Sequence, residues 1–257
     1  MHIDATLHVS TLYAFALVLA RISGLFVFLP IPGLSAGPVV SRVVLSLVTT
    51  FSLFPRWPET LTTPANIAVF AGWLIAEAGL GLSIGLAVSF IMEAFYMASQ
   101  LISAQAGFSY ASTVDPTTQA DSTVLIVIAQ LIAGLLFFAT GLDRQVLVIL
   151  ANSLESAPPG VFALTRPHVE ALLMMGGCVF STGLRLVLPI MTLLLLVDLS
   201  LGMLGRLNSQ LQIFSLALPL KTLASLGLLS VSALMYPRVF SQLSTTVFGV
   251  LRSLLGT

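Results

Sequence analysis

The chain is 257 residues long, with ten Lys/Arg against ten Asp/Glu and three His; 57% of its residues are hydrophobic and 8% are charged, and its mean hydropathy is +1.06. Soluble domains carry about 25% charged residues, so these side chains are too few for a water-facing shell, and much of the surface must face lipid or other protein. A formal net charge of zero leaves no basic footprint for phosphate neutralisation, which excludes electrostatically led nucleic-acid binding. The single cysteine, Cys178, excludes an intrachain disulfide and any multi-cysteine metal site.

In chain order, no Lys or Arg precedes Arg21, so the basic n-region of a secretory signal is missing and the first apolar stretch, Leu12–Ile31, is expected to be retained. It has the length needed to cross a hydrocarbon core of about 30 Å. Further apolar stretches follow at Val43–Phe54, Ile67–Ala98, Val124–Leu142, Ala171–Val197, Leu211–Tyr236 and Val239–Leu255. Val43–Phe54 is short for a span, Ile67–Ala98 is overlong, and the last two are parted only by Pro237 and Arg238. These lengths predict helical hairpins rather than uniform crossings. Lipid cannot satisfy free backbone donors and acceptors, and the alternation of a β-barrel is absent, so the fold class is all-α. Pro189 and Pro219 each predict a kink or break. Basic residues are spread nearly one per segment, which leaves the positive-inside signal flat. The uncharged-to-acidic amino terminus points to an external start and Arg252 to a cytoplasmic end.

Arg21, Glu77, Glu93, Arg185, Asp198 and Lys221 fall inside apolar stretches, where each is costly unless paired or wet. Such charges either line an ion or solute pathway or form ion pairs at helix interfaces. Gly72–Ala76 and Gly81–Gly85 repeat small side chains four apart, a pattern that lets backbones approach. Arg206, Asn208 and Gln210 form a late polar turn that requires contacts other than lipid.

Catalytic sets are missing from this pattern. His2, His8 and His168 lie outside the main apolar stretches without the spacing of a metal site, and Ser181-Thr-Gly183 and Gly107-Phe-Ser109 are not nucleophile elbows. No enzyme activity, metal or cofactor is expected.

The segment from Ser103 to Ser122 is a run of small and polar residues between two strongly apolar ones. Gly107 frees the backbone, Asp115-Pro116 favours an extended or turning chain, and Asp121-Ser122 offers an N-cap for a helix starting near Val124. An irregular loop at about 103–123, carrying Phe108 and Tyr110, is therefore expected within one domain spanning 1–257. It is either an exposed connector or a closure folded into a protein cavity.

Three groups of residues resemble the FliR family of flagellar export gates and its injectisome counterpart, SctT. The first is Ala20-Arg-Ile-Ser-Gly24 with Pro30, Pro38 and Arg42. The second is Gln105-Ala-Gly-Phe-Ser-Tyr-Ala-Ser-Thr-Val-Asp-Pro116. The third is Asp198-Leu-Ser-Leu-Gly202, Arg206, Gln210 and Phe214, then Leu218-Pro219-Leu220-Lys221. Ser209, Gln212 and Ala217 depart from the family's usual Pro, Asn and Gly, which weakens detailed contacts more than the resemblance.

The resemblance implies a structural and gating subunit in the inner membrane, at the flagellar basal body. It would assemble with FliP-like and FliQ-like subunits, near FlhA-like and FlhB-like components, around a conduit for unfolded substrates. Gly107, Phe108, Ser109, Tyr110, Ala111, Ser112, Thr113, Val114, Asp115 and Pro116 match the family's plug. Arg21, Glu77, Gly81, Gly85, Glu93, Arg185, Asp198, Arg206, Gln210, Phe214, Pro219 and Lys221 are the expected assembly residues. The alternatives are a small multi-span solute or ion transporter, or an SctT-type injectisome subunit.

Overall fold

The computed structural model describes residues 9–31, 38–57, 64–107, 123–161, 166–207 and 213–255. Among them the secondary structure is helical throughout: α1 Val9–Phe28, α2 Val39–Ser52, a short 3-10 turn Phe54–Arg56, α3 Ile67–Ala106, α4 Thr123–Ala139, α5 Leu142–Ser156, α6 Arg166–Leu207, α7 Ile213–Ala233 and α8 Tyr236–Leu255. Three of these, α1, α3 and α6, are long and apolar enough to cross a membrane, and two bent pairs, α4 with α5 and α7 with α8, raise the number to five if each is one span. The 40 residues of α3 run for about 60 Å, twice the hydrocarbon thickness.

Several boundaries differ from the sequence expectation. The helix ending the second long apolar stretch continues through Ser103 to Ala106. There Gly107, at φ 88°, donates its N–H back to Ala104 O at 3.3 Å. The apolar stretch Val124–Leu142 turns by 60° at Thr140–Gly141 into α5, a more polar helix that hydropathy alone passes over. Pro189 and Pro219 stand inside α6 and α7, and neither ends its helix. The final break falls at Leu234–Met235, with a 57° bend, just before the expected Pro237–Arg238.

Contacts divide the chain into two compact units. The first comprises 1–90, 141–175 and 244–257. Its centre is the crossing of α1 and α3. A Cβ on Gly81 would fall on the carbonyl of Arg21, one on Gly85 on the carbonyl of Leu25, and one on Gly24 would lie 2.5 Å from Ala78 O. The two backbones are thus in contact, as small-residue positions in lipid-exposed bundles allow. Leu17, Val18, Ile22 and Leu25 of α1 and Leu80, Ile84 and Val88 of α3 are buried beside it.

Helix α2 packs on α1 with an inverted face. Ser46 and Thr50 are buried and return their hydroxyls to Val43 O and Thr50's i−4 carbonyl at Ser46, whereas Val39, Val40, Val43, Val44, Val48 and Phe51 point outward. Such an arrangement is unstable in water and natural in an apolar surrounding. Its 14 residues span about 21 Å, short of a full crossing.

The second unit comprises 91–140 and 176–243. Ala98, Ile102 and Ala106 of α3 pack with Val187, Ile190 and Leu194 of α6, and Ala224, Leu228 and Leu229 of α7 close over them. Gly183 of α6 lies against Ala94 of α3, where a Cβ would come 3.0 Å from Ala94 O. Phe95 stacks with Tyr236 and Phe240 at centroid distances of 5.5 and 5.4 Å.

Replacing Gly81 by Ala is expected to force α1 and α3 apart and to destabilise the chain by about 1–3 kcal/mol. Gly72→Ala, on the same helix with nothing within 4 Å of its new Cβ, serves as the control. Thermal unfolding in mild detergent measures the difference, and equal midpoints for the two variants would contradict the crossing.

Candidate functional site: paired charges in apolar helices

Arg21 lies halfway along α1 and is completely buried, as is Glu77 on α3. One turn from the Gly81 contact, the backbones are close enough for the two side chains to meet. Arg21 Nε donates to Glu77 Oε2 at 2.6 Å, and Nη2 lies 2.6 Å from the same oxygen. Nη1 donates to Ser153 O at 2.6 Å and to Ser153 Oγ at 3.2 Å, and Nη2 donates to Ala157 O at 2.8 Å. The guanidinium thus donates four hydrogen bonds and makes one further close ion-pair contact through Nη2.

Ser153 and Ala157 form the carboxyl end of α5, where the helix dipole favours a cation and the carbonyls have room for a second donor. Arg21 caps that end. The second carboxylate oxygen of Glu77 accepts the N–H of Gly160 at 2.9 Å. Gly160 sits at φ 88°, with the Trp73 ring 3.3 Å from where a Cβ would stand, so a side chain there meets both strain and a wall. One ion pair thus fastens α1, α3, the end of α5 and the turn after it.

A second node lies in the other unit. Lys221 Nζ on α7 is 2.8 Å from Asp198 Oδ1 and 3.0 Å from Oδ2 on α6, and Gln105 Nε2 on α3 donates to Oδ2 at 3.2 Å. Both charged side chains are partly exposed, at 16% for Lys221 and 39% for Asp198. Gln105 stands two residues before Gly107, so this node holds α3 at the point where segment 108–122 departs.

The remaining expected residues are placed as follows. Gly81 and Gly85 face α1 of the same chain. Glu93, Arg185, Arg206 and Pro219 are exposed. Phe214 stands on α7, while Phe108, Ser109, Tyr110, Ala111, Ser112, Thr113, Val114, Asp115, Pro116 and Gln210 lie outside the described residues. Sequence reasoning missed Ser153 and Gly160, which act through a backbone carbonyl and a backbone N–H that no motif records. It also missed Gly183 as a packing position, having weighed its Ser-Thr-Gly setting only for catalysis. Among the described residues no cluster of three or more His, Cys, Asp or Glu is placed to hold a metal ion. What the two nodes can do chemically is hold helices in register by neutralising charge.

These features define a helical membrane protein of several apolar spans locked by internal ion pairs. Residues 12–247 match the family model described as bacterial export proteins, family 1, and the chain belongs to that family. It is similar to the flagellar biosynthetic protein FliR of Escherichia coli K12, at 29% identity over 92% of this chain and 90% of the relative. The FliR protein of Pectobacterium carotovorum subsp. carotovorum is 30% identical over 83% and 82%. The surface presentation of antigens protein SpaR of Salmonella typhimurium LT2 is 25% identical over 80% and 78%.

Glu77→Ala would leave Arg21 buried and unpaired, and is expected to cost about 3–5 kcal/mol. The double substitution Arg21→Met with Glu77→Leu should recover much of that loss, because an apolar pair needs no neutralisation. Unfolding midpoints of the three proteins in detergent check this. A Glu77→Ala variant as stable as wild type would remove the node from its structural role.

Proposed function

We propose that this chain is a structural and gating subunit of a flagellar type III export gate in the bacterial inner membrane. It assembles there with FliP-like and FliQ-like subunits, near FlhA-like and FlhB-like components, around a conduit for unfolded substrates. Its role is to shape and close that conduit rather than to catalyse a reaction. Family membership supports the export assignment. The flagellar form rests on the Thr113-Val-Asp-Pro116 segment and on the relatives named FliR.

The observation that carries the gating part is the tether at the root of segment 108–122. α3 ends in Ala106, Gly107 turns the chain, and Gln105 is bound to Asp198, itself paired with Lys221. A polar segment of 15 residues interrupted by Pro116 then passes before α4 begins at Thr123. A plug requires a fixed root and a part that can leave, and the Asp198–Lys221 node supplies the first. The small residues around Phe108 and Tyr110 suit the second, since they fill a lumen without the cost of extracting a large rigid helix.

Deleting Gly107–Thr113 is expected to yield a gate that assembles and leaks ions. The check is ion conductance across membranes containing the complex, together with its yield on purification. An assembled deletion complex as ion-tight as wild type would return the segment to the status of a connector.

A further inference from the structure

Helix α8 divides lengthwise into two faces. Phe240, Leu243, Val247 and Leu251 are buried, whereas Arg238, Gln242, Thr245, Thr246, Gly249 and Arg252 are exposed and fall within an arc of about 120° at 3.6 residues per turn. Among the described residues it is the only α-helix that exposes no large hydrophobic side chain. It carries two arginines and no acidic residue. Yet Pro219–Ala233 of α7 and Tyr236–Ser253 of α8 are together long and apolar enough to cross a membrane as one bent pair. A helix of membrane-crossing composition thus presents a polar stripe along its whole outer side.

We propose that the polar face of α8 is part of the conduit wall, in contact with water and with the unfolded polypeptide that passes through it. The inference rests on the gate reading above. Lipid does not fit this face. Arginines near a helix end can reach an interface with their charged heads, but Gln242, Thr245, Thr246 and Gly249 stand between them in the middle of the helix, with side chains too short to do so. A stationary helix does not fit it either. Such a partner is held by apolar anchors, or by donors and acceptors left open for it. Between its arginines the face has no apolar anchor, and Gln242, Thr245 and Thr246 are already engaged within the chain. Ser253, at the end of the stripe, likewise returns its hydroxyl to Val250 O at 2.7 Å. An unfolded polypeptide in transit needs the opposite of an anchor. It exposes apolar side chains in any order, and these adhere to apolar walls. Short polar groups that are satisfied within their own chain give such a polypeptide nothing to hold, while Arg238 and Arg252, about 21 Å apart along the axis, keep the wall hydrated at both ends.

The test places single cysteines in a Cys178→Ser chain assembled in the complete gate, in inner-membrane vesicles that export native substrates. Thr245→Cys and Gly249→Cys probe the polar face, Val247→Cys the buried face of the same helix, and Leu195→Cys the apolar surface of α6. Each preparation is treated during export with a bulky, positively charged, membrane-impermeant methanethiosulfonate, and both labelling and export are read. Thr245→Cys and Gly249→Cys are expected to export before treatment, to be labelled, and then to lose export, while Val247→Cys and Leu195→Cys stay unlabelled and keep it. Should Gly249→Cys fail to assemble, Thr245→Cys decides alone. A polar face that resists the reagent is covered by a neighbouring subunit, and one that is labelled with export intact faces bulk water outside the conduit; either result overturns the inference. A wild-type chain that fails to co-purify with gate subunits would instead reject the gate reading itself, so the two failures are distinguishable.

Discussion

A guanidinium buried in an apolar helix must find an acceptor for each of its N–H groups, because neither lipid nor a dry interior offers one. In this chain that requirement falls on Arg21, and the rest of the first unit is arranged to meet it. The backbones of α1 and α3 touch at Gly24, Gly81 and Gly85, and only at that distance can Arg21 reach Glu77 without lengthening the crossing. The end of α5 supplies the carbonyls that a carboxylate alone leaves wanting. Glycine contacts and ion pair are one device. The glycines set the distance and the charges set the register, because a slip of one residue along either helix separates the pair.

The polar and apolar faces of the chain follow the same rule with lipid or protein, rather than water, as the outer medium. Helix α2 buries its hydroxyls and exposes its valines. By contrast α8 buries Phe240, Leu243, Val247 and Leu251 and presents Arg238, Ser241, Gln242, Thr245 and Arg252, with no large hydrophobic side chain exposed among its described residues. A single protein with both kinds of helix has surfaces facing different surroundings. That suits a subunit of an assembly that contains an aqueous path better than a compact span bundle enclosed by lipid.

The all-α class and the long apolar helices were legible in the sequence because hydropathy and backbone satisfaction in lipid leave few alternatives. Gly81 and Gly85 were legible as close-packing positions from their spacing, but the same spacing at Gly72–Ala76 raised an expectation that fails at Gly72, which faces open space. The Arg21–Glu77 pair was half legible: each charge is conspicuous in an apolar run, but 56 residues separate them and no local pattern names the partner. Ser153, Ala157 and Gly160 were not legible, since their contribution is made by backbone atoms whose direction depends on where α5 ends. Boundaries failed where the chain bends without a sequence break, as at Thr140–Gly141. At Pro189 the expectation of a kink or break resolves against a break, since α6 continues through it. At the candidate plug, composition was informative and position was not, because a polar run between apolar ones says what it is not without saying what surrounds it.

The central claim is that this chain is one part of a heteromeric gate, with the Arg21–Glu77 and Asp198–Lys221 pairs locking its fold. The most direct measurement is the mass of the intact particle extracted from its native membranes in mild detergent, with its subunits identified. The account predicts a particle several times the mass of this chain, containing FliP-like and FliQ-like subunits. A monomer or homodimer that moves a small solute would contradict it.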